Sequence, residues 1–175
     1  GKYVGFHTEM AERIVTDVQK QLGLTKLETK YQPVTSQNRI PLVTNGTVDL
    51  ECGSTTNNAA RQKDVAFGVT TYVEEVRMVV KADSKITSIK DLNGKTVATT
   101  TGTTSVQTLR KNERASGLDF KEVYGKDHAD SFLMLETGRA DAFVMDGSIL
   151  AANVSKSKNP ADFKIVGEVL SVEPI

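Results

Sequence analysis

Two arginines carry most of the chemical promise of this sequence. Arg39 lies in the first turn of a short helical pattern, and Arg61 follows the polar run Gly53-Ser54-Thr55-Thr56-Asn57-Asn58. A guanidinium is planar, permanently charged and forked, so it grips a carboxylate through two parallel hydrogen bonds. A lone arginine early in a helix is ordinarily a solvated surface residue. Here each stands beside a loop that closes a strand pattern, the setting in which α/β folds bind ligands. The loops at 53–56 and 100–105 are rich in Gly, Ser and Thr. Glycine admits a ligand to the backbone, hydroxyls donate hydrogen bonds, and helix starts offer free N–H groups. Together the two loops suit an anion with planar oxygens. The plainer reading, two capped helix starts, stays open on composition alone.

Two further residues stand at element ends. His128 follows Asp127 at a helix start, as a surface or capping residue or as a donor to a second carboxylate. Asp146 closes a strand, as a turn residue or as a partner for an ammonium group. Other chemistries lack support. Thr100-Thr101-Gly102-Thr103-Thr104 has neither the lysine nor the glycine spacing of a P-loop. One cysteine and two histidines form no cluster with metal-ligand spacing. There is no Gly-x-Ser-x-Gly elbow. Cys52, in an apolar alternation, reads as a buried thiol or as one end of a bridge to a cysteine outside this chain. No cofactor is implied.

The elements that must position these groups alternate between helix and strand periods. Met10, Ile14, Val15, Val18 and Leu22 predict a helix, with Thr8 as its N-cap and Gly23 as its stop. Residues 27–34 read as extended, 36–45 as a short helix, and Val48, Leu50 and Cys52 as a strand. Strands follow at 65–69 and 76–81. The second half repeats the grammar: strands at 96–99, 120–123, 142–145 and 163–166, and helices at 105–115, 127–137 and 147–155. This order predicts an α/β fold with largely parallel sheets. The extended stretches 72–76 and 167–172 are the candidate lobe boundaries.

Composition adds bounds. Lys+Arg and Asp+Glu are equal at 22 each in 175 residues, so no electrostatic footprint for nucleic acid or an anionic membrane emerges. No apolar run approaches the length of a membrane span. The opening Gly1-Lys2-Tyr3 reads as the start of a fragment, without a targeting segment.

Longer blocks carry a resemblance. Thr35-Ser36-Gln37-Asn38-Arg39-Ile40-Pro41-Leu42, Asn45-Gly46-Thr47-Val48-Asp49, Glu51-Cys52-Gly53-Ser54-Thr55-Thr56-Asn57-Asn58 and Arg61-Gln62-Lys63 resemble the glutamate/aspartate-binding proteins of bacterial ABC importers, within solute-binding protein family 3. Thr101-Gly102-Thr103-Thr104-Ser105, Lys126-Asp127-His128 and Leu135-Glu136-Thr137-Gly138-Arg139-Ala140 continue the likeness, and Gly5-Phe6 with Glu9 resembles the family's first helix entry, where aspartate is more usual than Glu9. The resemblance implies a two-lobed periplasmic-binding-protein type II fold with lobe I incomplete. Residues 1–75 would form partial lobe I, 76–170 lobe II, and 171–175 the second hinge crossing. It implies that Arg61 pairs with a ligand α-carboxylate, helped by Ser54, Thr56 and Thr104, and that Asp146 holds the α-ammonium. Arg39, Ser36 and His128 would face the side-chain carboxylate, with Thr101 a weaker contact. L-glutamate or L-aspartate, an ABC permease and a periplasmic location follow as expectations. A preceding strand with a further arginine, and a returning C-terminal part, are expected in the family but not in this sequence, so the fragment is expected to self-associate or remodel its first lobe. A sensor module and, less well supported, a dehydratase acting through Glu51 or His128 are the alternative readings on the same fold.

Overall fold

The computed structural model describes residues 3–175. Alternating apolar residues in the second half generate one five-stranded sheet from β1 (Val73–Lys81), β2 (Thr96–Thr100), β3 (Lys121–Gly125), β4 (Ala142–Asp146) and β5 (Phe163–Pro174), in the order β3-β2-β4-β1-β5. The period of two splits the core into layers. Val76, Met78, Val80, Val97, Ala142 and Val144 face one side with Leu109 of α3 (Thr104–Ser116). Val79, Ala98, Phe143 and Met145 face the other, against Phe132 and Leu135 of α4 (His128–Glu136) and Leu150 of α5 (Gly147–Lys156). β4 is buried along its whole length, as a central strand covered by helices on both faces must be.

β2 runs parallel to β3 and β4, but β1 is antiparallel to both β4 and β5, which corrects the expectation of a largely parallel sheet. β1 and β5 are the strands by which the chain enters and leaves this unit, so they pair directly, without a crossover helix. Beyond the last β4 partner, 73–75 and 172–174 continue as a two-stranded ribbon. The strand predicted at 163–166 is therefore only the first third of β5. The register jumps from Val76↔Ser171 to Met78↔Val166, and Gly167, at φ 81°, turns the bulged chain while its carbonyl accepts from Arg77 at 2.9 Å.

The first 72 residues differ more from expectation. The strands predicted at 48–52 and at 65–69 do not form, and the extended stretch 27–34 joins no ladder. A strand is held by a neighbour that pairs its N–H and C=O groups, and among the described residues none of these segments has a ladder partner. α1 (Phe6–Gln21) forms, but Gly5 rather than Thr8 occupies its N-cap position, and Thr8 Oγ1 instead reaches back to the Val4 carbonyl at 3.5 Å. The helix predicted at 36–45 shortens to α2 (Arg39–Thr44), because Thr35 and Asn38 exchange hydrogen bonds (2.7 and 3.3 Å) that close a turn ahead of it. All buried hydrophobic residues lie between Val76 and Phe163.

Candidate functional site

The loop after residue 52 is built by short-range hydrogen bonds. Thr55 Oγ1 donates to Glu51 at 2.7 Å, and Asn58 Oδ1 accepts from the Arg61 N–H at 3.0 Å. The Asn57 N–H donates to the Pro174 carbonyl at 2.8 Å, which ties the loop to the end of β5. Thr55 and Thr56 are buried as a result. Arg61 begins a single 3-10 turn, Arg61–Lys63, rather than a longer helix. Its guanidinium donates to the Thr56 carbonyl at 3.0 Å and across to the Gly102 carbonyl at 3.3 Å. Gly102 meets the same segment from the other side: a Cβ there would lie 2.6 Å from the Gln37 Cα and 2.9 Å from the Ser36 carbonyl carbon. The 36–61 segment and the β2–α3 loop are therefore in direct backbone contact.

Arg39, at the start of α2, is only 6% exposed, and its Nε lacks a hydrogen-bond partner. Burial lowers the pKa of both arginines. Glu51, then Asp146, offset this for Arg39, and Glu173, Glu51 and Asp146 offset it for Arg61. The two guanidiniums also repel one another. Asp146 ends β4 at the N-cap position of α5 without capping it. Burial, then Glu74 and Glu173, push its carboxyl up to about 7, against the pull of Arg39 and Arg61.

His128 opens α4 behind Asp127, whose carboxylate caps the helix through the Asp130 N–H at 2.8 Å. Its Nδ1 lies 3.0 Å from Thr100 Oγ1, which in turn lies 2.8 Å from Ser131 Oγ. Ser131 Oγ is within reach of the Thr99 and Asp127 carbonyls at 3.0 and 3.1 Å. Carbonyls only accept, so the serine proton goes to them, Thr100 donates to Ser131, and the His128 Nδ1–H donates to Thr100. That leaves Nε2 as an acceptor in the neutral ring. Burial, then Arg39, lower the His128 pKa and favour this neutral form. A ligand carboxylate beside it would draw a proton onto Nε2 and turn it into a donor.

Arg39, Arg61 and Asp146 thus share one electrostatic neighbourhood, which His128 joins through Arg39. Thr101 stands at the strand ends, its N–H bonded to the Gly125 carbonyl at 3.0 Å, and Thr104 begins α3. The side chains of Ser36, Ser54 and Thr104 are half-buried and make no hydrogen bond among the described residues. Sequence reasoning missed Glu74 and Glu173, 5% and 6% exposed. The signal was present: Glu74 shares the strand parity of inward-facing Val76, Met78 and Val80. A separate cavity of about 300 Å³ lies between α1, α2 and residues 65–71, and of the predicted set it touches only Arg39. Cys52 lines it as a free thiol whose pKa burial and Glu51 raise. Among the described residues no His, Cys, Asp or Glu group has the arrangement of a metal site.

The sequence profile of the bacterial extracellular solute-binding proteins, family 3, matches residues 1–157. The L-glutamate/L-aspartate-binding protein of Pseudomonas aeruginosa is 44% identical over 173 residues, 99% of this chain and 57% of that protein. The glutamate/aspartate import solute-binding protein of Salmonella typhimurium is 45% identical over 172 residues, 98% of this chain and 57% of its own length. The chain thus spans somewhat over half of these curated relatives. Among solved structures, an ancestral arginine-binding protein bound to glutamine superposes with a TM-score of 0.84 at 31% identity, covering 100% of this chain and 73% of that one. Holo ArgBP from T. maritima gives 0.84 at 32% identity, with 100% and 72% covered.

Proposed function

The chain belongs to the bacterial extracellular solute-binding proteins of family 3, and on that premise we propose that it binds L-glutamate or L-aspartate where the 36–61 segment meets the carboxyl ends of β2 and β4. Arg61, with Ser54, Thr56 and Thr104, takes the α-carboxylate. Asp146 takes the α-ammonium, and Arg39, Ser36 and His128 take the side-chain carboxylate, with Thr101 at the margin. The role is binding rather than catalysis, with delivery of the amino acid to an ABC permease from the periplasm.

One observation carries this reading: the buried Arg39 and the clamped Arg61 both act electrostatically on the buried Asp146. A ligand with two carboxylates and one ammonium supplies the complementary charges. Such groups are buried at tolerable cost only when each is paired. The neighbouring Glu51, Glu74 and Glu173 add further negative charge around these groups.

Residues 1–75 are read as part of one lobe, 76–170 as the second, and 171–175 as the strand crossing back. The segments 48–52 and 65–69, which join no ladder among the described residues, fit a first lobe completed by a second copy or by further chain. Light scattering that finds only monomer would remove the second copy.

Calorimetry with L-glutamate, L-aspartate, L-glutamine and L-arginine tests the main proposal. The acidic pair is expected to bind at least tenfold tighter than the other two. Equal affinities, or a preference for arginine, would overturn it.

A further inference from the structure

Three carboxylates crowd the point where β1, β4 and β5 meet. Glu74 and Glu173 are directly opposed partners on neighbouring antiparallel strands, both buried. Like charges in that position repel. Glu74 reaches across to the start of α5, where it accepts from the Ser148 N–H at 3.4 Å and from the Ser148 hydroxyl. Glu173 accepts from Ser171 Oγ at 2.9 Å. Asp146 pairs with Val76, two residues along β1 from Glu74. It is as buried as the other two, at 5% exposed, but its carboxylate has no hydrogen-bond donor among the described residues.

None of the three lies within ion-pair distance of a cation among the described residues. The charged groups that act on Asp146 are Glu74 from β1, Glu173 from β5, Arg39 from α2 and Arg61 from the 3-10 turn. Burial and the two glutamates outweigh the arginines, so the carboxyl keeps its proton to about pH 7. Glu74 and Glu173 already have hydroxyl donors, which leaves Asp146 to supply the exchangeable proton.

We propose that Glu74 and Glu173 are positioning residues for the ammonium subsite, acting through Asp146 so that a ligand ammonium enters in exchange for a proton. This rests on the reading of Asp146 given above. The neutral Asp146 carboxyl loses its proton to solvent, the ammonium keeps its own, and the resulting carboxylate pairs with it. The glutamates make the subsite demand a cation, and they make occupancy compete with protons. A solute arriving from acidic surroundings is then held less tightly than the same solute at neutral pH.

The experiment is calorimetry of L-glutamate binding from pH 5.5 to 8.5, in two buffers of different ionisation heat, on the wild-type chain and on Glu74→Gln, Glu173→Gln and Glu74→Asp. Wild type is expected to release a fraction of a proton near neutrality, with affinity falling by up to about tenfold per pH unit below the Asp146 transition. Either glutamine variant is expected to move the onset of that fall to lower pH, and Glu74→Asp to restore it. A merely structural loss would weaken binding equally at every pH. His128 is common to all variants and drops out of the comparison. Proton release and pH profiles that are the same in wild type and in both glutamine variants would overturn the inference alone. No binding of L-glutamate at any pH would overturn the functional reading and take this inference with it.

Discussion

Arg61 and Gly102, forty-one positions apart, are joined by a guanidinium N–H to carbonyl hydrogen bond of 3.3 Å. The same side chain holds the Thr56 carbonyl at 3.0 Å, so its fork spans the two surfaces that would enclose a ligand. Removing it takes away this bridge as well as the proposed carboxylate partner. Arg61→Ala is expected to weaken L-glutamate binding by at least ~30-fold, the scale of a lost charged hydrogen-bonded partner, ~2–5 kcal/mol. Arg61→Lys retains the charge but not the fork, and is expected to recover only part of the loss. Calorimetry decides, and an unchanged affinity in Arg61→Ala would refute the assignment.

Arg39 is a different test, because its Nε is buried without a partner. An unpartnered buried donor is costly, so a ligand that pairs with it gains more than a surface contact would give. Arg39→Ala is expected to weaken L-glutamate and L-aspartate by tenfold or more, and to affect L-glutamine much less. Equal losses for acidic and neutral ligands would place Arg39 outside the side-chain subsite.

At Gly102 a side chain would be both strained and crowded. Its φ of +80° strains any L side chain, and a Cβ would meet the Gln37 backbone at 2.6 and 2.7 Å. Gly117, at φ +61°, has open space around it and isolates the strain from the clash. Gly102→Ala is expected to cost roughly 1–3 kcal/mol in denaturant unfolding and to part the 36–37 backbone from the β2–α3 loop, lowering ligand affinity further. Gly117→Ala is expected to leave affinity unchanged. Equal effects of the two substitutions on binding would show that the Gln37 contact has no part in the site.

How much of this was legible in the sequence depended on whether an element had its partners. β2, β4, α3, α4 and α5 fall within a residue or two of their expected bounds, because their apolar positions meet each other inside the chain. Val48, Leu50 and Cys52 show the same alternation, but a ladder needs a second strand, and alternation alone cannot supply one. The antiparallel placement of β1 was hidden for a related reason: periodicity gives a strand's faces and not its direction. At the candidate site, Arg39, Arg61, His128 and Asp146 stand out by residue type and position at element ends, and their proposed roles come from the family resemblance. Glu74 and Glu173 were passed over because a glutamate in a strand ordinarily points to solvent, and only the cross-strand register brings the two together.

Asp146 also sets a pH dependence of folding. Its carboxyl, held up to about 7 in the folded chain, returns to the ordinary carboxylate range on unfolding. Between those values the folded state binds more protons than the unfolded one, so this group's contribution to stability is fully present in acid and is lost as pH rises towards 7. Asn at the same position is neutral at every pH and similar in shape. Without added ligand, the melting temperature of Asp146→Asn is therefore expected to exceed that of wild type by a margin that is small near pH 4, grows with pH and levels off above about pH 7. A margin that is independent of pH would mean that the folded-state carboxyl is ionised throughout.

Stability should also be distributed unevenly along the chain. α1 has sixteen residues and none of them is buried, whereas every residue of β4 is. An isolated helix of this length is marginal in water, since nucleation must be offset by packing. The α1 amides can therefore open without disturbing the sheet, while those of β4 exchange only when both core layers come apart. In hydrogen exchange at neutral pH, α1 is expected to lose protection at least a hundredfold faster than β4. The contrast should shrink if a partner settles on the apolar residues Ile14 and Val18 of α1, both of which are exposed. Dilution across a wide concentration range separates the cases: exchange in α1 that slows with concentration indicates a second copy docking there, and exchange that stays fast at every concentration indicates that α1 remains uncovered. Protection of α1 equal to that of β4 in dilute protein would contradict the packing described for this helix.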